Sequence, residues 1–212
     1  MKLPAQVLPI GLVLAMATLV MLEGQTRHHD GPWLYGAHEA RWTITEFADL
    51  ECPYCKSYTP ELKQWVSTQK NVALQWHHLP LPFHGTAAIH EARLVECAGK
   101  LRGGTAFWQA IDQVLERTLS NGQGFTAPLD LENISHEDLE RCASEDVGVA
   151  LRIDQQVEEA KRLGFSGTPS LLIVDNLTGH SIKLEGPVDG ATLLSSIDWL
   201  AQPPYPTSTE NP

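Results

Sequence analysis

Phe47-Ala48-Asp49-Leu50-Glu51-Cys52-Pro53-Tyr54-Cys55 closes an alternating segment and opens a helical one, with two cysteines one turn apart at the join. Upstream, Arg41 to Phe47 places Trp42, Ile44 and Glu46 on one face and Thr43, Thr45 and Phe47 on the other, the period of a strand. Downstream, a helix is predicted from Pro53 to about Gln69. Cys52 then falls at a helix N-terminus, where free N–H groups and the macrodipole favour an anion. A thiolate is that anion, and such placements bring a cysteine pKa from about 8.5 to between roughly 3.5 and 7.5. Pro53 suits the first helical position, since its missing N–H would have no intrahelical partner there. Cys55, one turn further in, is the more buried thiol and the one suited to resolve a mixed disulfide.

A Cys-x-x-Cys is also half of a zinc site. The other half is missing: neither Cys97 nor Cys142 belongs to a second Cys-x-x-Cys, and no histidine pair has ligand spacing. Redox use is the expectation, with no metal and no cofactor beyond the Cys52–Cys55 disulfide itself.

The segments further out supply the rest of an α/β pattern. A second strand runs from Val72 to Leu79 and is ended by Pro80 and Pro82. From His84 the period becomes helical for about 80 residues: Leu94, Cys97, Ala98 and Leu101 share a face, Gly103-Gly104 interrupts, and Thr105 to Leu119 resumes. Ser135 followed by Asp138 marks a helix start, and Asp146 to Leu163 is a longer helix closed by Gly164. Leu171 to Val174 has the continuous apolar run of a strand buried on both faces. Thr178-Gly179 turns it into an antiparallel partner, Ser181 to Leu184. A last helix, Asp189 to about Ala201, directs Leu193, Leu194, Ile197 and Leu200 inward. Strands alternating with helices at both ends of a purely helical middle describe one α/β domain with an insertion.

The whole chain bounds this reading. Its 212 residues suffice for one domain carrying an insertion. With 42% hydrophobic and 19% charged residues it is globular, and a net charge of −11 excludes a sequence-independent grip on nucleic acid. Much of that charge lies between residues 128 and 160, where ten acidic residues face Arg141 and Arg152 alone; a solvated helical face is the plain account, a docking surface for a basic partner the other. The apolar stretch from Val7 to Leu22 suits the core of a signal peptide, with a small-x-small site at Ala15-Met16-Ala17, or a retained N-terminal anchor. Either reading puts the body of the protein outside the cytoplasm. Asn133 and Asn176 fit glycosylation acceptors that matter only in a eukaryotic secretory pathway.

The segment Phe47 to Cys55 resembles the active site of the thioredoxin superfamily, and the helical block between second and third strands resembles its DsbA-like branch of secreted thiol–disulfide oxidoreductases. Gly167-Thr168-Pro169, just before the apolar strand, is similar to the family's cis-proline loop. The resemblance implies a thioredoxin-like α/β fold with an inserted helical domain. Residues 1–22 become signal peptide or anchor, 23–40 a linker, 41–83 and 164–202 the thioredoxin-like domain, 84–163 the insertion and 203–212 a disordered tail. It further implies Cys52 as nucleophile, Cys55 as resolving thiol, Pro53 and Tyr54 as residues tuning the thiolate, and Thr168 with cis-Pro169 as the substrate-pairing loop. Glu46, six residues before Cys52, matches the family's buried acid; the alternative is an exposed carboxylate on a sheet edge. Cys97 and Cys142 are either buried free thiols or a structural disulfide, and an oxidising compartment favours the bond.

Exported polypeptides as substrates, a recycling membrane redox partner, a monomeric state and a periplasmic location are likewise implied by the resemblance. Thiol oxidation is the favoured direction. An isomerase or reductase like the DsbG-like proteins, which share Pro-Tyr and Thr before the cis-proline, is the alternative. About 20 residues between the apolar segment and the first strand leave no room for the dimerisation domain those proteins carry. A chaperone-like or soft-metal-binding protein is the reading from a different class.

Overall fold

The computed structural model describes residues 31–202. The expected signal or anchor segment and the expected C-terminal tail lie outside the described residues. The elements are β1 (Leu34–Gly36), β2 (Trp42–Ala48), α1 (Pro53–Ser67), β3 (Val72–His78), α2 (Gly85–Arg102), α3 (Gly104–Arg117), α4 (His136–Glu145), α5 (Val147–Leu163), β4 (Ser170–Asp175), β5 (Ser181–Glu185) and α6 (Gly190–Leu200). A 3₁₀ turn, Pro82–His84, leads into α2.

The five strands form one sheet in the order β1-β3-β2-β4-β5. β2 and β3 are parallel, with α1 as the crossover; the other neighbours are antiparallel. β2 is the sheet's centre, and every residue in it except Thr43 is buried. Register sets Glu46 between Trp76 and Leu171, and Phe47 between His77 and Ser170. Helices cover both faces. Glu46 meets α1 through Thr59, whereas Phe47 points the other way, to Phe165 with ring centroids 5.2 Å apart and to Ala160 of α5.

Helices α2 to α5 form the helical block. Three of the helix starts are held by side-chain caps. Ser135 Oγ accepts from the Asp138 N–H, Asp146 accepts from Val149, and Asp189 accepts from Thr192. Gly164 closes α5 in the left-handed conformation. Cys97 of α2 and Cys142 of α4 form a disulfide, with Cα atoms 5.9 Å apart.

Three expectations are corrected. Residues 34–36, inside the segment expected to be a linker, are a strand on the edge of β3, and the chain around them is anchored by aromatics. Trp33 packs on Phe107 and Tyr35 on Trp108 of α3, and a Cβ at Gly99 would come within 2.7 Å of the Trp33 indole. Three residues are too few to display a period, and the partners lie far along the chain. β4 is not buried on both faces: Leu171 and Ile173 are fully buried, while Leu172 and Val174 are only partly covered. On α6, Leu193, Ile197 and Leu200 point inward, but Leu194 is exposed because it falls at the margin of the apolar stripe. Among the described residues no helix is long and apolar enough to cross a membrane.

Candidate active site

The Asp49–Cys52 turn delivers Cys52 to the N-cap of α1. Its extended backbone (φ −81°, ψ 121°) starts the helix, its carbonyl accepts the first helical bond from Lys56 at 3.0 Å, and Pro53 occupies the first helical position. Cys52 and Cys55 are both free thiols; Cys52 is 4% exposed and Cys55 wholly buried. Tyr54 between them stands out at 65% exposure.

The two sulfurs are electrostatically unlike. Cys52 is lowered to about 6, first by the Cys55 thiol donating to it, then by Thr168 and by the N–H groups of Cys55 and Tyr54. Cys55 is pushed well above its usual range by burial, by its hydrogen bond to Cys52 and by the charge of Glu46. The Thr168-Pro169 bond is cis, and the Thr168 carbonyl oxygen lies 3.5 Å from Cys52 Sγ. Thr168 is half-buried and Pro169 buried.

Glu46 is completely buried rather than exposed at an edge, because β2 is the sheet's central strand. Its Oε1 accepts from the Thr59 hydroxyl at 2.8 Å, and Oε2 has no hydrogen-bond partner among the described residues. Burial pushes Glu46 up to about 8 against the Thr59 bond, with the Cys52 charge adding to the rise and Lys63 opposing it. Glu46 therefore holds a proton at neutral pH and sits within the field of both sulfurs.

The structure brings Cys52, Pro53, Tyr54, Cys55, Glu46, Thr168 and Pro169 to one end of the sheet. Cys97 and Cys142 are elsewhere, inside the helical block. Sequence reasoning missed Thr59 and Lys63, although Cys55, Thr59 and Lys63 recur every fourth residue and so share one face of α1. It also missed four groups behind the cysteine turn: Asp49, Glu51, His84 and Glu91, all at most 3% exposed. Asp49 accepts from the Leu81 and Glu51 N–H groups and lies 2.7 Å from His84 Nδ1. No periodicity links residues 35 positions apart.

Known proteins resemble this chain in sequence and fold. The thioredoxin family model matches residues 28–189. The crystal structure of Pseudomonas aeruginosa DsbA2 superposes with a TM-score of 0.78 at 50% identity, covering 81% of this chain and 95% of that one. A thioredoxin-like oxidoreductase from Silicibacter pomeroyi shares the fold, with a TM-score of 0.62 at 23% identity, over 83% of this chain and 96% of that one. A curated relative, Na(+)/H(+) antiporter NhaA 1 of Salinispora arenicola, is 33% identical over 143 residues, 65% of this chain but 21% of its own length. The chain thus spans about a fifth of that relative's length. Family match, fold and the DsbA2 likeness agree: this chain belongs to the thioredoxin family, in its DsbA-like branch.

Proposed function

We propose that this chain is an extracytoplasmic thiol–disulfide oxidoreductase that introduces disulfides into exported polypeptides. The observation that carries the reading is the asymmetry of the dithiol, with Cys52 lowered to about 6 beside a Cys55 held far higher. A low value on Cys52 favours its departure as thiolate and stabilises the reduced protein, which makes the disulfide a strong oxidant.

In the forward direction a substrate thiolate attacks Cys52 of the Cys52–Cys55 disulfide. The sulfur–sulfur bond breaks, Cys55 leaves with the electron pair, and a mixed disulfide joins substrate to Cys52. Glu46, protonated near neutrality, is the buried proton source for Cys55. A second substrate thiolate then attacks the substrate sulfur of the mixed disulfide. Cys52 departs as thiolate, the substrate holds a new disulfide, and the protein holds the two electrons. A membrane redox partner outside this chain would remove them.

The Thr168-Pro169 loop beside Cys52 offers backbone to an extended substrate, and exposed Tyr54 offers apolar surface next to the sulfur. Phe83, 76% exposed on the turn that His84 ties to Asp49, adds a second aromatic surface. The Cys97–Cys142 bond supports an oxidising compartment, since such bonds do not persist in a reducing cytosol.

Two measurements test the proposal. Cys55→Ser is expected to trap substrates on Cys52 as mixed disulfides; a protein that merely binds through its dithiol traps none. The reduction potential is expected near about −120 mV, whereas a value near about −270 mV makes the protein a reductant.

A further inference from the structure

We propose that Glu51 and Glu91 share a single proton, and that this proton makes Glu91 a positioning residue holding the Cys52 turn against the helical block. The inference rests on Cys52 being the reactive sulfur, as proposed above.

The two carboxyl groups are buried, 0% and 1% exposed, and face each other within hydrogen-bonding range. Glu51 immediately precedes Cys52, whereas Glu91 lies on α2 of the helical block. Glu51 Oε1 accepts from the Thr118 hydroxyl at 2.7 Å. The remaining three oxygens, Glu51 Oε2 and both of Glu91, are buried and meet no donor among the described residues. Two facing carboxylates can only accept, so as anions they would repel and leave those oxygens unsatisfied. One proton between them converts the repulsion into an O–H···O⁻ bond, which is the short and strong kind.

That bond closes a brace around the nucleophile. The Glu51 carbonyl accepts from the Asn121 N–H at 2.8 Å, and the Cys52 N–H donates to the Asp49 carbonyl at 3.0 Å. The Asn121 loop is packed closely on the 3₁₀ turn: Gly122 (φ +84°) sits so near that a Cβ would meet the His84 carbonyl at 2.9 Å. The charged and titratable groups around the pair are Asp49 and His84 on one side and Lys56, whose ammonium donates to the Thr118 carbonyl, on the other. Burial, the bond to Glu51 and the charges of Glu51 and Asp49 push Glu91 up to about 9. Burial would raise Glu51 too, but the bonds from Glu91 and Thr118 oppose it, and Glu51 is lowered. The pair thus keeps its proton at neutral pH and yields it to hydroxide in alkaline solution.

The test follows the Cys52 amide rather than disulfide transfer. It is done on a Glu46→Gln, Cys55→Ser background, so that neither position titrates while the serine hydroxyl still donates to Cys52. The amide resonances of Cys52 and Asn121 are followed from neutral to alkaline pH. Loss of the shared proton should shift both amides together, in one step with an alkaline midpoint. Glu91→Gln carries N–H donors that do not titrate, so the step should vanish; Glu91→Leu has no donor and should show the alkaline behaviour at every pH. A flat profile in the parent, or a step that survives Glu91→Gln, overturns the proposal. If Glu91→Gln does not fold, Glu51→Gln makes the same comparison. A protein that shows the step yet fails to oxidise substrates refutes the proposed function and leaves the Glu51–Glu91 pair standing.

Discussion

The molecule holds two cysteine pairs, and burial alone does not tell them apart: Cys52, Cys55 and Cys97 are all at most 4% exposed, and Cys142 is half-buried. Their surroundings do. Cys52 occupies the N-cap of a helix, beside the free N–H groups of its first turn, and faces a carbonyl and the charge field of a buried acid. Cys97 lies within α2 and meets Cys142 within α4, and neither of them caps a helix. A helix start has unpaired donors to offer a thiolate, and the interior of a helix has none. On the proposed function the first pair exchanges electrons, while the second fastens two helices.

The largest expected effect comes from removing the helix-cap sulfur: Cys52→Ala should reduce disulfide exchange to background while leaving Cys97–Cys142 oxidised, as read by thiol counting and an exchange assay. If replacing Cys97 and Cys142 abolished exchange instead, the division of labour would be wrong. Replacing Cys97 and Cys142 together by alanine should lower stability by about 4 kcal/mol, from the entropy of closing a 45-residue loop, without shifting the Cys52 titration. Urea unfolding and thiolate absorbance decide this one.

Glu46→Gln should slow exchange at neutral pH about tenfold or more through loss of a proton donor. It also has a stability signature. Glu46 is raised from 4.5 to about 8, so its contribution to stability is full below about 4.5 and lost as pH rises through about 8. Unfolding followed across that window should show a smaller fall with pH in Glu46→Gln than in the parent; parallel curves would contradict a buried, protonated Glu46.

The smallest effect is expected from Thr168→Val. The hydroxyl that is lost has no hydrogen-bond partner among the described residues and the carbonyl near Cys52 remains, so the thiolate titration should stay within roughly half a unit of about 6. Cys52 titrates in the opposite sense to Glu46. Lowered from 9.0 to about 6, it stabilises the reduced protein fully above about 9.0, and that contribution is lost as pH falls through about 6.

How far the site was legible depended on distance along the chain. Cys52, Pro53, Tyr54 and Cys55 were readable because a strand period ends and a helix begins around them. Thr59 and Lys63 were readable in principle from their four-residue spacing behind Cys55. Asp49–His84 and Glu51–Glu91 were not, since their partners lie 35 and more residues apart and meet only when the 3₁₀ turn and α2 fold over the cysteine turn. The edge strand Leu34–Gly36 stayed hidden for the same reason, its partner being β3.

Local chemistry is what the sequence by itself determined: alternation around Ile44, proline at the first helical position, caps at Ser135, Asp146 and Asp189, and a dithiol where a helix offers free N–H groups. These depend on neighbours within a turn or two, where residue identity dictates backbone geometry. The tertiary structure alone decided that β2 is central rather than an edge. That placement buries Glu46, raises it to about 8 and makes a carboxyl group into a proton store beside two sulfurs. Desolvation is a property of what surrounds a group in space, and only the packed sheet and helices supply those surroundings.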